Sequence, residues 1–115
     1  MDRLPESLAG MSPAEAAKTF CLGVIDVVAG VVPAVKPQAA FFEAMGAPGV
    51  AALQEVVHGA QDAGLVVVLD AKRGDIGSTA RAYSRATLDS DGPMGADAVT
   101  LSPYLGDESL QPFLP

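Results

Sequence analysis

Leu65-Val66-Val67-Val68-Leu69-Asp70-Ala71-Lys72-Arg73-Gly74-Asp75 is apolar for its first five residues and then abruptly charged. An apolar run without alternation predicts a strand, Leu65 to Leu69, covered on both faces, as in a parallel sheet flanked by helices. Asp70 ends the run, and Ala71 to Asp75 is expected as a loop. On the upstream side, Val50, Leu53, Val56, Val57 and Ala60 recur at helical spacing after Pro48 and stop at Ala63-Gly64, where glycine suits the left-handed position past a helix end. On the downstream side, Ile76 to Leu88 is compatible with a helix. Asp91-Gly92-Pro93 reads as a turn, and Ala96 to Leu101 as another strand before Ser102-Pro103.

Further out, Ser12-Pro13-Ala14-Glu15 has the form of a capping box with proline at the first helical position. It predicts a helix from Ser12 to Gly30, with Phe20, Val24, Val27, Val28 and Val31 as one buried stripe. Val31 to Val35 is short, β-branched and apolar and is expected as a strand running into Lys36-Pro37. Gln38 to Met45, with Phe41, Phe42 and Met45, is a short helical turn closed by Gly46 and expected to pack. From Gly106 to Pro115 a further helix is expected to begin.

The order is thus α, β, α, β, α, β with short connections, and right-handed crossovers make the three strands parallel and adjacent. Two architectures accommodate this. One is a small open α/β sheet, which length favours. The other is a slice of a (β/α)₈ barrel, a fold of about 250 residues when complete; the lack of convincing strands before Ser12 or after Pro103 favours it.

Of the 115 residues, 50% are apolar and 18% charged, enough apolar surface for one folded unit. A net charge of −7, with no separate basic cluster, argues against nucleic-acid or anionic-lipid partners and for a small-molecule one. The single cysteine, Cys21, has no internal partner, and neither a leader nor an apolar run of membrane length is apparent, so a cytoplasmic location is expected.

Each strand ends in polar residues: Lys36 after the first, Asp70, Lys72 and Asp75 after the second, Thr100 and Ser102 at the third. In parallel α/β folds these ends gather on one face, where sites are built. Asp70 and Lys72 are two apart, so extended geometry points both side chains the same way, while Gly74 lets the chain turn and re-aim Asp75. Lys36 can neutralise one carboxylate, and Asp70 with Asp75 can hold Lys72 protonated. An ammonium fixed beside a carbon that becomes a carbanion stabilises the charge and can then protonate it, with no metal or organic cofactor. Decarboxylation is such a reaction.

The segment Leu69-Asp70-Ala71-Lys72-Arg73-Gly74-Asp75-Ile76-Gly77-Ser78-Thr79 is joined by Val35-Lys36-Pro37-Gln38, Phe41-Phe42-Glu43 and Ser102-Pro103-Tyr104-Leu105-Gly106. Together these closely resemble the orotidine 5′-phosphate decarboxylases, in particular their longer bacterial subfamily, from about Ser12 onward. The resemblance implies a partial (β/α)₈ barrel that converts orotidine 5′-phosphate to UMP and CO₂ in de novo pyrimidine synthesis, without cofactor or metal. It implies that Lys36 and Asp70 belong to a charged network, with Lys36 also at the substrate, and that Lys72 protonates C6. Asp75 would complete the network from the neighbouring subunit of a homodimer, and Ile76 and Thr79 would reach across toward the partner's substrate. Compared with the family, residues 1–115 are expected to be a single partial barrel domain lacking the first strand and the C-terminal half, with Met1 to Leu8 following that strand. The pyrimidine and phosphate groups would bind outside it, so the isolated chain is expected to be inactive.

Two other readings stand beside this one: a related phosphosugar decarboxylase or aldolase, which would need a divalent metal, and a non-catalytic half-barrel that only pairs with another polypeptide or itself. An isolated Asp-x-Lys-x-x-Asp is usually a solvated loop with local ion pairs, and only its flanking segments raise it here. His58 reads as a surface or satisfied histidine, and Cys21 as a small core residue. Gly74 to Thr79 lacks the lysine-bearing phosphate-loop pattern. Ser102 and Tyr104 can line a pocket but receive no catalytic role.

Overall fold

The computed structural model describes residues 5–114. Its elements are helix α1 (Pro13–Val28), strand β1 (Ala34–Val35), helix α2 (Ala39–Glu43), helix α3 (Ala47–Asp62), strand β2 (Val66–Arg73), helix α4 (Gly77–Thr87) and strand β3 (Ala98–Leu101). The strands form one sheet in the order β1-β2-β3, all parallel. This is the α/β arrangement the alternating pattern implies. Of the segment read as following a missing first strand, residues 1–4 lie outside the described residues, and Glu6–Leu8 forms a 3₁₀ turn.

The α1 start matches its sequence signal in part. Pro13 opens the helix and the Ser12 hydroxyl accepts from the Glu15 amide at 3.4 Å, but the Glu15 carboxylate turns to Lys18 at 3.1 Å instead of closing the box. Lys18 also meets Glu55 of α3 at 3.1 Å, and both carboxylates raise its pKa, Glu55 first. Of the expected buried stripe of α1, Val28 alone packs against the core. Phe20, Val24, Val27 and Val31 are all exposed, while Ala14 and Ile25 are buried and Ala17, Cys21 and Val28 pack against the core. Through this side, small at Ala14 and Ala17 and larger at Ile25 and Val28, α1 packs against α3. Burial raises the Cys21 thiol pKa, in keeping with its reading as a core residue.

The helix ends at Val28, and the first strand is shorter than expected. The amides of Val31 and Val32 donate to the Val28 carbonyl at 2.9 and 3.1 Å, so these residues complete the helix end and pairing starts only at Ala34. Gly30, with φ +77°, makes that exit possible. Within α2, Phe42 is buried as expected whereas Phe41 is exposed. The third strand begins at Ala98 rather than Ala96, and residues after Ser102 form three 3₁₀ turns, not the start of a longer helix.

The core lies between α3 and β2. Ala52, Leu53, Val56, Val57 and Ala60 of α3 meet Leu65, Val67 and Leu69, with Val57 and Val67 wholly inaccessible. Each of the buried Val and Leu side chains contributes about 1.5–3 kcal/mol by leaving water. Coverage on both faces of β2, as expected from its apolar run, is met on one face only. Val66 is 49% exposed and Val68 half-buried, because among the described residues no second layer stands over that side. The period of two places Asp70 on this open side, but the expected extended geometry does not reach Lys72: its φ is +48° and the pairing with β3 shifts between Leu69 and Arg73, so an irregular turn aims its side chain. The strand does not stop at Leu69 either: it runs through Asp70 to Arg73, so the expected loop is largely strand.

Candidate active site

The charged residues sit where β1 and β2 end side by side. Lys36 follows β1 directly, and Asp70 forms a parallel bridge with Gln38 beyond it, its amide donating to the Pro37 carbonyl at 3.0 Å. Asp70 is buried at 5% exposure, yet every carboxylate oxygen is occupied. Oδ2 accepts from Lys36 Nζ and from Gln38 Nε2, the latter at 3.0 Å; Oδ1 accepts from Lys72 Nζ and from Thr100 Oγ1, the latter at 2.8 Å. An ionised carboxylate has about four acceptor sites, and here four donors fill them. The Lys36 hydrogen bond, then Lys72 and then Thr100 hold the Asp70 carboxyl well below the usual carboxylate range. Asp70 is therefore an ionised spacer between two lysines.

The lysines differ from their carboxylate in exposure. The Lys36 and Lys72 side chains are 55% and 64% exposed, against 8% for Asp70. Their stems rise from the sheet and their ammonium groups converge on one buried anion, leaving both available to a group arriving at the strand ends. A substrate anion would meet two cations and one negative charge that cannot move.

Lys36, Asp70 and Lys72 are thus gathered as the sequence implies. Asp75 is not. Its Oδ1 accepts from the Ile76 amide at 2.8 Å, at the entry to α4, and it forms no ion pair with Lys72 among the described residues. The expectation that Asp75 of the same chain helps hold Lys72 protonated is corrected: beyond Gly74 the chain turns toward α4 and takes the carboxylate along. Ile76 and Thr79 open that helix with exposed side chains. Gly74 serves close approach rather than a left-handed turn, since a Cβ there would lie 3.0 Å from the Ser102 carbonyl oxygen. His58 is exposed on α3, and Tyr104 is 93% exposed. Among the described residues no three His, Cys, Asp or Glu side chains gather closely enough to hold a metal ion, and no helix is long and apolar enough to cross a membrane.

Sequence reasoning left Gln38 and Thr100 without roles. Their polarity beside strand ends was visible, but their aim at Asp70 depends on strand register. It also missed Arg73, which pairs with Glu43 of α2 and lies 5.4 Å from the Tyr83 ring centre on α4. Arg73 ties the end of β2 to helices on either side.

Comparison with known proteins places this arrangement. Residues 15–115 match the family described as "Orotidine 5'-phosphate decarboxylase / HUMPS family". An orotidine 5′-phosphate decarboxylase of Rhodopirellula baltica is 55% identical over 107 residues, covering 90% of this chain and 35% of the relative. One of Roseiflexus castenholzii is 50% identical over 112 residues, covering 97% of this chain and 39% of the relative. The solved structure of Leishmania donovani OMP decarboxylase superposes with a TM-score of 0.81 at 47% identity, over 90% of this chain and 40% of that one. The chain spans well under half the length of these relatives, and its three strands correspond to part of their (β/α)₈ barrel.

Proposed function

The chain belongs to the orotidine 5′-phosphate decarboxylase / HUMPS family, and from that premise we propose that the complete protein converts orotidine 5′-phosphate to UMP and CO₂ in pyrimidine nucleotide synthesis, in the cytoplasm. Residues 1–115 are one partial barrel unit of it, and the open face of β2 meets the remaining strands. The observation that carries the reading is the Asp70 carboxylate pinned between the ammonium groups of Lys36 and Lys72 at the strand ends.

In the reaction the bond from C6 of the pyrimidine to its carboxylate breaks, and the electron pair stays on C6 as CO₂ leaves. Lys72 Nζ lies beside C6, stabilises the developing charge and delivers a proton to it, and a proton from solvent restores the ammonium. Asp70 lies beside the departing carboxylate and keeps Lys72 in place, while Lys36 offsets its charge and contacts the substrate. Asp75, Ile76 and Thr79 act on the site of a second copy in a homodimer. Their position at the α4 entry, turned from their own Lys72, supports that arrangement. No cofactor is required by this chemistry.

The test is turnover of orotidine 5′-phosphate by the complete protein, followed by loss of substrate absorbance, beside a Lys72→Ala variant. Wild-type turnover abolished by the substitution is the expected result. Substantial activity in the variant overturns the assignment. The 115-residue chain alone should show none, because both lysines stand more than half exposed and water is not excluded from them.

A further inference from the structure

Thr100 stands opposite an irregular stretch of the sheet. Between the pairs Leu69 with Val99 and Arg73 with Leu101, β2 carries Asp70, Ala71 and Lys72, whereas β3 carries Thr100 alone. Extra residues on one strand bend it and leave backbone groups without ladder partners. The Lys72 amide is such a group, and it donates to Thr100 Oγ1 at 3.0 Å. Lys72 also has φ +48°, the only positive value at a non-glycine residue among those described. A residue with a side chain keeps that conformation only where its surroundings hold it, and such residues cluster at functional sites.

The hydroxyl has one proton to give. With a lone pair taken by the Lys72 amide, the proton goes to Asp70 Oδ1 at 2.8 Å. Asp70 Oδ1 also receives Lys72 Nζ. A closed ring results, from the Lys72 amide through Thr100 Oγ1 and Asp70 Oδ1 to the Lys72 ammonium. One hydroxyl holds both the backbone that launches the lysine and the carboxylate that receives it.

We propose that Thr100 is a positioning residue for proton delivery: without touching substrate, it fixes the irregular turn of β2 at Lys72 and the orientation of Asp70. The inference rests on the decarboxylase reading of this site. Valine at position 100 keeps the β-branched shape suited to a strand but leaves the Lys72 amide unpaired and one Asp70 acceptor site empty. Serine keeps the hydroxyl and loses only a methyl group.

The experiment compares wild type, Thr100→Val and Thr100→Ser in the complete protein, measuring kcat and KM for orotidine 5′-phosphate, and the titration of the Asp70 carboxyl carbon and hydrogen exchange of the Lys72 amide by NMR. Thr100→Val should lower kcat by about 10- to 100-fold with KM changed by less than about threefold, as expected for a lost hydrogen bond to a charged group. Thr100→Ser should stay within about threefold of wild type in both constants. In Thr100→Val the Asp70 titration should move up and Lys72 amide exchange should quicken; Thr100→Ser should restore both. Wild-type kcat in Thr100→Val, or equal losses in the two variants, overturns the inference, the second by assigning the effect to methyl packing. Should wild type itself not turn over this substrate, the proposed function fails. The NMR arm then decides Thr100 by itself: unchanged titration and exchange in Thr100→Val refute its positioning role, and shifts reversed by serine sustain it.

Discussion

Val67 and Leu69, in the first half of β2, are 0% and 2% exposed and pack against α3, whereas Lys72, three residues past Leu69 on the same strand, carries a side chain that is 64% exposed and directed at one carboxylate. The first half holds the fold by area removed from water, a force without direction, so any apolar residue of similar size serves. The second half is specified atom by atom, through four donors on Asp70 and an unusual backbone angle at Lys72. Along a single strand the first half thus serves mainly stability and the second mainly chemistry.

Leu69→Ala and Lys72→Ala should fail in opposite ways. Lys72→Ala is expected to remove decarboxylation from the complete protein while its urea midpoint stays near wild type. Leu69→Ala should cost about 2–5 kcal/mol of unfolding free energy, through lost transfer energy and a residual cavity, with kcat per folded molecule retained. A Leu69→Ala protein of wild-type stability but lost kcat would break the division between the halves.

Acid sharpens it further. The Asp70 carboxyl has its pKa lowered in the fold, so the unfolded chain binds that proton more readily than the native one. Its contribution to stability is full above the ordinary carboxylate pKa of about 4 and is lost as pH falls from there toward the native value. Urea unfolding between pH 7 and pH 3 should show this acid-side loss in wild type and a smaller loss in Asp70→Asn. Parallel curves would mean that ionisation of Asp70 adds nothing to folding.

Gly74→Ala probes the junction between the two regimes. Its Cβ would meet the Ser102 carbonyl oxygen at 3.0 Å and Ser102 Cβ at 3.1 Å, so the strand ends must part by a few tenths of an ångström. A loss of about 1 kcal/mol in thermal or urea unfolding is expected, with a fall in kcat as the Lys72 turn shifts. The smallest effect belongs to Arg73→Met, which removes the pair with Glu43 and the stacking over Tyr83. It should cost at most about 1 kcal/mol by urea unfolding, since partly exposed pairs contribute little.

The two long helices show how far reading the chain can go. In α3 the repeat Leu53, Val56, Val57, Ala60 is buried, as its spacing implies, and only Val50 at its start stays partly exposed. In α1 apolar residues recur at helical spacing on two sides; Ala14, Ala17, Cys21, Ile25 and Val28 pack, whereas Phe20, Val24 and Val27 are exposed. Periodicity locates a helix but does not choose between two faces that both carry apolar residues at helical spacing. Asp75 is a parallel case at the site. It is three residues from Lys72, yet the intervening turn matters more than that distance, and its carboxylate meets the Ile76 amide instead.

Apolar runs, proline and glycine punctuation and the Lys-Pro-Gln and Asp-x-Lys-x-x-Asp segments were enough to read three parallel strands, their order, the family and the Lys36, Asp70 and Lys72 cluster, because each depends on residue type and local spacing. The face of α1 that packs, the extension of β2 past Asp70, and the closure of Gln38 and Thr100 on one carboxylate required the folded molecule. Thr100 and Lys72 lie 28 positions apart and Gln38 and Asp70 lie 32 apart. Contacts over such distances are set by strand register and by two extra residues on one strand, and neither leaves a local trace in composition or period.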